Sequence, residues 1–414
     1  MTTTSPEETP KSSAQSFRRL IQELQDENGL VVIKSEVDLH LELAAIVRNV
    51  YETEDKAPLF NNVKDRQENG LFRILGAPVG ASKIPGKRFT RIAKSLGLPS
   101  HVSDQEIIHK IHETKRLPKV PPKEVASGPV EENKVNWSIT RSMINENDPR
   151  SLIGPVIPRQ DIGVIREMWQ DRGEYMPFAM CADFIGALPG SPVEVTKCEM
   201  NDILVPTEAE IVFEGVVSNT ETASEGPIAE YHGHIFRGES KQCTIFKVNS
   251  ITYRNHPIIS ICITGRAPES ETMIWNPFES HCIWFVLQVD RNELRAMKTT
   301  MEEFCNKVGH VVLALKPGFY IPTLYLVGDD IDPTNFKEVV WAAAMRCQPR
   351  ANEFVFDEYP NVPLIPYVGY GVKSGRNAWK MELAWKEASF RGNYPEEVQE
   401  KVKSQWEAYG FSSV

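Results

Sequence analysis

The chain has no cysteine pair at CxxC spacing, no lysine or arginine block, and neither a GxSxG nor an HExxH motif. It also lacks any apolar run near the roughly 18 residues that a membrane span requires. Each absence removes a class of protein. Seven cysteines (Cys181, Cys198, Cys243, Cys262, Cys282, Cys305, Cys347) are odd in number and scattered, which argues for reduced thiols and against a disulfide framework or zinc knuckle. The formal charge of -10 and pI near 5.6 argue against a nucleic-acid partner. Small molecules are the expected partners. The missing motifs set aside serine hydrolase and zinc protease chemistry. Residues 1–15 are rich in Thr, Ser and Pro without an apolar core, so they read as a disordered tail and not as a secretory signal, with a cytoplasmic address expected.

What is present is an ordinary globular composition, 41% hydrophobic and 25% charged, over 414 residues, enough for two or three domains. Phe17, Leu20, Ile21 and Leu24 recur at helical spacing, and 29–33 follows as a strand. Residues 41–51 read as a helix and 71–75 as a strand ended by Gly76. Prolines 118, 121, 122 and 129 mark a linker. Between 193 and 255, strand-like runs at 193–195, 210–217 and 245–253 alternate with turn residues, as in a small barrel or sandwich. Residues 283–289 read as a buried strand, 291–308 as a helix stopped by Gly309, and 311–315 as a further strand, a β-α-β order that predicts a parallel layer. At the end, Pro395 opens a helix on which Val398, Val402, Trp406 and Tyr409 form one stripe that must dock on its own domain or on a second subunit.

Several site signals dissolve on inspection. The stretch 80–87 resembles a phosphate loop, but it is one residue too long and Arg88 stands where a Mg²⁺-holding hydroxyl belongs. His232 and His234 share a strand face for packing reasons as readily as for a metal. Asp329, Asp330 and Asp332 precede a helical stretch, where capping is the ordinary use of such residues. Two segments hold more chemistry: Asn136-Trp137-Ser138-Ile139-Thr140-Arg141 and Glu225-Gly226-Pro227-Ile228-Ala229-Glu230. An arginine beside two carboxylates can hold and release a proton near neutral pH. Loop carboxylates are more often merely solvated, so residue types alone favour the plainer reading. On a regular strand the two glutamates would face opposite ways, but Gly226-Pro227 breaks the ladder and lets both turn inward.

These segments, with collinear blocks at 56–62, 69–78, 251–255, 294–300 and 363–367 and the runs Lys247-Val248-Asn249 and Val327-Gly328-Asp329-Asp330-Ile331-Asp332, resemble the UbiD family nearly end to end. Within it the chain is most similar to the fungal ferulic/phenylacrylic acid decarboxylases that use prenylated FMN. The resemblance implies an α+β fold: an N-terminal α/β domain at 16–125, a central split β-barrel flavin-binding domain at 126–260, a C-terminal α/β dimerisation domain at 261–392, and a docking or dimerising helix at 393–414. It implies non-oxidative decarboxylation of a cinnamic, ferulic or sorbic-type acid by way of a prenyl-FMN cycloadduct, releasing CO₂ and a terminal alkene.

Carried over position by position, Arg141, Glu225 and Glu230 match the catalytic network, with Glu230 as proton donor. Asn136, Trp137, Ser138, Ile139, Arg141, Gln160, Asp161 and Lys316 fall at cofactor positions, and Tyr231, Ile274, Val362 and Leu364 line the substrate pocket. Asn136, Asp161 and Asp183 remain as ligands for Mn²⁺ or another divalent cation, with K⁺ as a further candidate. A flavin prenyltransferase would supply the cofactor, and a homodimer is implied. The chain departs from the pattern in two ways. Gln160-Asp161 stands where the family has Gln-His, and segments are absent before Val135, between Ala182 and Asp183, between Trp275 and Asn276, and after Gly371. A tailoring decarboxylase of fungal secondary metabolism and a catalytically impaired flavin-binding paralogue or partner subunit stay open as alternatives.

Overall fold

The computed structural model describes residues 16–53, 56–64, 72–80, 82, 89–114, 123–124, 143–144, 151–153, 175–182, 194–225, 234–235, 241–263, 265, 284–315, 318, 321–333, 335–348, 350–356, 359 and 386–412. The chain divides into two compact units, Met1–Met273 with Lys386–Val414, and Ile274–Trp385.

The first unit begins with a four-stranded sheet in the order β1 (Leu30–Ile33), β2 (Ala57–Phe60), β3 (Arg73–Gly76), β13 (Ile258–Ile261). β1 runs parallel to β2, β2 antiparallel to β3, and β3 parallel to β13. Alternation along each strand supplies both faces. Leu30, Leu59, Leu75 and Ile258 pack with Phe17, Leu20, Ile21 and Leu24 of α1 (Phe17–Asp26), all buried as the helical spacing predicts. Val31, Ile33, Phe60 and Ile74 point the other way, onto Ala45, Ile46, Val47 and Val50 of α2 (Glu42–Thr53). Short helices α3 (Thr90–Ser95) and α4 (Asp104–Thr114) follow β3.

Two expectations about this unit change. Residues 258–261 complete the N-terminal sheet, so that sheet is built from segments almost two hundred residues apart in sequence and the 16–125 segment does not close it alone. The end of the chain, α8 (Phe390–Asn393) and α9 (Glu396–Ser404), returns to α2, where Val402, Trp406, Tyr409 and Phe411 enter the same core. Its stripe docks on its own chain. Polar contacts fix the seat: the Tyr409 hydroxyl donates to buried Glu42 at 2.9 Å, and Lys401 Nζ pairs with the same carboxylate at 2.9 Å.

Burial here has a pH signature. Desolvation pushes the Tyr394 hydroxyl from its ordinary 10.0 up to about 12, helped by the Glu52 charge and opposed by Arg48. Burial and then the Glu42 hydrogen bond also raise Tyr409. A phenol whose native value is raised keeps a proton that the unfolded chain releases. Its contribution is therefore whole below about pH 10 and is lost as pH climbs towards about 12. For Tyr394 this amounts to roughly 2–3 kcal/mol. Urea denaturation at pH 8, 10 and 11 is expected to show that decline, and Tyr394→Phe is expected to lessen it, leaving the share due to Tyr409.

The middle of the first unit is β-rich. β4 (Lys123–Glu124), β8 (Glu194–Lys197) and β9 (Leu204–Pro206) form one small sheet, and β11 (His234–Ile235) pairs with β16 (Lys386–Glu387). A five-stranded antiparallel sheet has the order β5 (Met143–Ile144), β6 (Ser151–Ile153), β12 (Lys241–Tyr253), β10 (Ile211–Glu225), β7 (Tyr175–Ala182). Among the described residues this sheet is open. At its centre β10 and β12 approach so closely at Gly215 that a Cβ there would lie 1.9 Å from the Lys247 carbonyl oxygen, which only glycine avoids.

In the second unit, β14 (Trp284–Val289) runs parallel to β15 (Thr323–Gly328), so the expected parallel layer forms with a later strand than the 311–315 that the sequence suggests. The linking helix differs from expectation. It breaks into α5 (Arg291–Ala296) and α6 (Met301–Ala314) at Lys298, whose φ of 51° ends the first helix, and a Thr300/Glu303 capping box starts the second. Asp290 caps α5 by accepting from the Asn292 and Glu293 amides. α6 runs straight through Gly309, so 311–315 is no strand. Gly309 is a packing glycine: a Cβ would sit 2.2 Å from the Phe356 ring. Gly309→Ala is expected to destabilise this unit by about 1–3 kcal/mol, read as a lower denaturation midpoint. Asp329 and Asp330 do not cap α7 (Phe336–Arg346), a task that falls to Asn335. They pair instead with Arg291 and, at 2.8 Å, Arg346, and the Arg346 hydrogen bond holds the Asp330 carboxyl below its usual range.

Candidate active site

Of the residues singled out by sequence, Glu225 lies among those described. Arg141, Glu230, Asn136, Trp137, Ser138, Ile139, Gln160, Asp161, Asp183, Lys316, Tyr231, Ile274, Val362 and Leu364 lie outside them, as do His232 and the junctions before Val135, between Trp275 and Asn276 and after Gly371; of the junction at Ala182, only the Ala182 side is described.

Glu225 is the last residue of β10, paired in register with Lys241, and Gly226-Pro227 follows it in sequence. Its route there is irregular. Val217 pairs with Phe246, and the next paired residue, Thr222, faces Thr244, so β10 spends three residues more than β12 over this step. An odd number of extra residues turns every later side chain to the opposite face. The buried Ser218 hydroxyl pins the bulge by accepting the amides of Thr220 at 3.2 Å and Glu221 at 2.9 Å. Pairing with β7 also ends at Ser218.

Beyond the bulge the two faces differ sharply. On one, Thr222, Gln242 and Ser224 form an exposed hydrogen-bonded row, with Thr222 donating to Gln242 at 3.2 Å and Gln242 to Ser224 at 2.8 Å. On the other, Glu225 is only 7% exposed, and the Cys243 thiol donates to its Oε2 at 3.2 Å. Lys241 stands opposite Glu225 in register, and Lys247 pairs with Glu221 on the bulge.

Burial alone does not mark a functional carboxylate in this molecule. Glu210, fully buried, receives Arg18 through two hydrogen bonds at 2.7 and 2.9 Å and the Ile258 amide at 3.0 Å. The Glu210 hydrogen bond raises the Arg18 guanidinium above its ordinary value. Glu214 gathers the amides of Glu199 and Met200, both at 2.8 Å, and the Asn201 side chain at 3.2 Å, which folds the turn between β8 and β9. Glu42 ties the terminal helix to α2. These three have structural work spanning distant elements. Glu225 instead sits at a strand end, next to a segment carrying a second glutamate. Sequence reading missed Glu210, Glu214 and Cys243, since each draws its meaning from a partner on another strand or helix.

Chains of the same fold are decarboxylases. A vanillic acid decarboxylase of Sedimentibacter hydroxybenzoicus in open form superposes with a TM-score of 0.68 at 17% identity, covering 95% of this chain and 99% of that one. The UbiD-class enzyme HmfF from Pelotomaculum thermopropionicum, in an evolved dimeric form in complex with prFMN, gives 0.62 at 18% identity, covering 83% and 92%. At such identities the likeness establishes fold.

Sequence carries the assignment further. The N-terminal, Rift-related and C-terminal domain models of 3-octaprenyl-4-hydroxybenzoate carboxy-lyase match residues 21–111, 182–267 and 259–378. Ferulic acid decarboxylase 1 of Saccharomyces cerevisiae is 32% identical over 499 residues, covering 96% of this chain and 99% of the relative. A pyrrole-2-carboxylic acid decarboxylase of Pseudomonas aeruginosa is 31% identical over 495, with the same coverage. This chain belongs to the UbiD family of carboxy-lyases. Both alignments are longer than the 414 residues present here, so both relatives carry residues without a counterpart in this chain.

Among the described residues no group of three or more His, Cys, Asp or Glu could hold a metal, and no helix is long and apolar enough to cross a membrane.

Proposed function

We propose that this chain decarboxylates an α,β-unsaturated acid of the cinnamic, ferulic or sorbic type, with prenylated FMN as cofactor, and that it does so in the cytoplasm as a homodimer. The observation that carries the reading is Glu225: a buried carboxylate at the end of β10, inside the segment matched by the Rift-related domain and five residues before Glu230. A buried strand-end acid held by a neutral donor fits a site that handles one proton away from water. The cofactor, supplied by a flavin prenyltransferase, would provide the electron sink that an unactivated vinylic carboxylate needs to lose CO₂.

The chain's own residues supply the remainder. Arg141 would bind the substrate carboxylate through two parallel hydrogen bonds and hold it against the reacting carbon. Glu225 would share a hydrogen-bonded network with Arg141, and Glu230 would deliver the proton that replaces the departing carboxyl group. Trp137, Ser138, Ile139, Gln160 and Lys316 would wall the flavin and its phosphate. Asn136, Asp161 and Asp183 would hold a divalent cation such as Mn²⁺, an oxygen-rich set suited to a hard ion, with K⁺ as a second ion. Tyr231, Ile274, Val362 and Leu364 would form the apolar pocket for the acyl tail. The five-stranded sheet would close as a split barrel around the cofactor.

The test is co-expression with a flavin prenyltransferase, followed by absorbance, bound-metal analysis and CO₂ release from sorbic and cinnamic acids. Flavin absorbance with CO₂ release is the expected result. A folded, colourless protein would end the proposal.

A further inference from the structure

We infer that Cys243 is a positioning residue for Glu225: its thiol fixes the rotation of the carboxylate at the end of β10. The inference rests on the decarboxylase reading for its consequence in catalysis, but the contact itself does not. The three-residue bulge turns Glu225 onto the face of β12 that carries Cys243, one pair diagonal from it, since Ala223 is the residue opposite Cys243. The thiol then donates to Oε2 at 3.2 Å.

A glutamate has three side-chain torsions, and the backbone pairing of Glu225 with Lys241 does not set them. A hydrogen bond from the adjacent strand supplies one fixed point. The donor type matters too. A thiol is a weak, neutral donor, so it orients the carboxylate without fixing its charge as a lysine or arginine would. Among the described residues, Glu221 on β10 pairs with Lys247 of β12, and Lys241 lies opposite Glu225 in register.

The contact is reciprocal. A carboxylate accepting the S–H holds the proton on sulfur, because a thiolate beside a carboxylate is disfavoured. Cys243 should therefore alkylate slowly in the native protein, and this can be read without cofactor. Iodoacetamide labelling at pH 8, quantified peptide by peptide with Cys198 as internal reference, is expected to speed up at Cys243 by about 3- to 10-fold in Glu225→Gln. An unchanged ratio would overturn the contact.

In the cofactor-loaded enzyme, Cys243→Ala is expected to lower kcat by about 3- to 10-fold with KM within about twofold and to shift the pH profile, while Cys243→Ser, which keeps a donor, restores most of both. Equal behaviour of the Ala and Ser variants would reject the positioning role while leaving the decarboxylase reading intact. Absence of CO₂ release from the loaded parent enzyme would reject that reading, and the alkylation comparison would still decide the contact.

Discussion

Glu225→Gln is expected to lower CO₂ release by about 10²-fold or more while flavin absorbance and the melting temperature stay close to those of the parent. The substitution preserves size and shape at a site that is only 7% exposed, and the amide oxygen can still accept the Cys243 thiol proton. What it removes is the charge and the capacity to take up a proton. A structural carboxylate behaves differently: at Glu214, which gathers three N–H donors, the same change would replace an acceptor oxygen by a donor and cost stability. Glu225→Gln that melted early and lost activity in proportion would put Glu225 with Glu214. Full activity would remove it from the site altogether. The parallel variant Glu230→Gln is expected to lose as much, since the two glutamates would act through one network.

Glu210→Ala should be the most damaging single change to the fold. Arg18 of α1, the Ile258 amide at the start of β13 and Arg254 just past β12 all converge on this one carboxylate, with Arg254 at 3.7 Å. Removing it leaves the buried Ile258 amide without its acceptor and Arg18 with only the Asn255 and His256 carbonyls, a loss of about 2–3 kcal/mol. Arg18→Ala should cost less, because Glu210 keeps its other donors, and the double variant should cost less than the sum of the two. Denaturant titration of the three variants measures the coupling. Additive losses would show that the ion pair contributes nothing beyond its separate parts.

How much of this was legible in sequence depended on how local the determinants were. The apolar stripe of Phe17, Leu20, Ile21 and Leu24 announced α1 because four residues in two turns bury one face. β1, β14 and the halves of β10 and β12 at 211–217 and 245–253 were readable from β-branched runs bounded by turn residues, whereas 218–225 and 241–244, beyond the bulge, were not. Val311 to Leu315 failed because a short apolar run fits a buried helix as well as a strand, and Gly309, read as a stop, is small to make room for Phe356. The partners of β13 and α9 were beyond reach, since strand order and docking surface are set by contacts far apart in sequence. The site divides in the same way. Glu225 was visible as a residue type next to Gly-Pro. Its neighbour Cys243 appeared only as one of seven scattered thiols, because a bulge of three residues decides which face it shares and no local pattern encodes that.

The way the first sheet is completed also sets a timetable for synthesis. β1, β2 and β3 leave the ribosome early, but their fourth strand arrives only at 258–261 and the cover over α2 only with 390–411. Until then α2 is packed against β1, β2 and β3 alone, without the share of its core that Phe390, Val402, Trp406, Tyr409 and Phe411 supply, and β3 lacks its β13 partner. Nascent chains of this protein therefore spend most of their translation with a sticky, half-built N-terminal layer, a natural client for chaperones. Chains cut short anywhere before the final helix would inherit that incomplete core permanently and be expected to aggregate or be degraded, however complete their catalytic segments are.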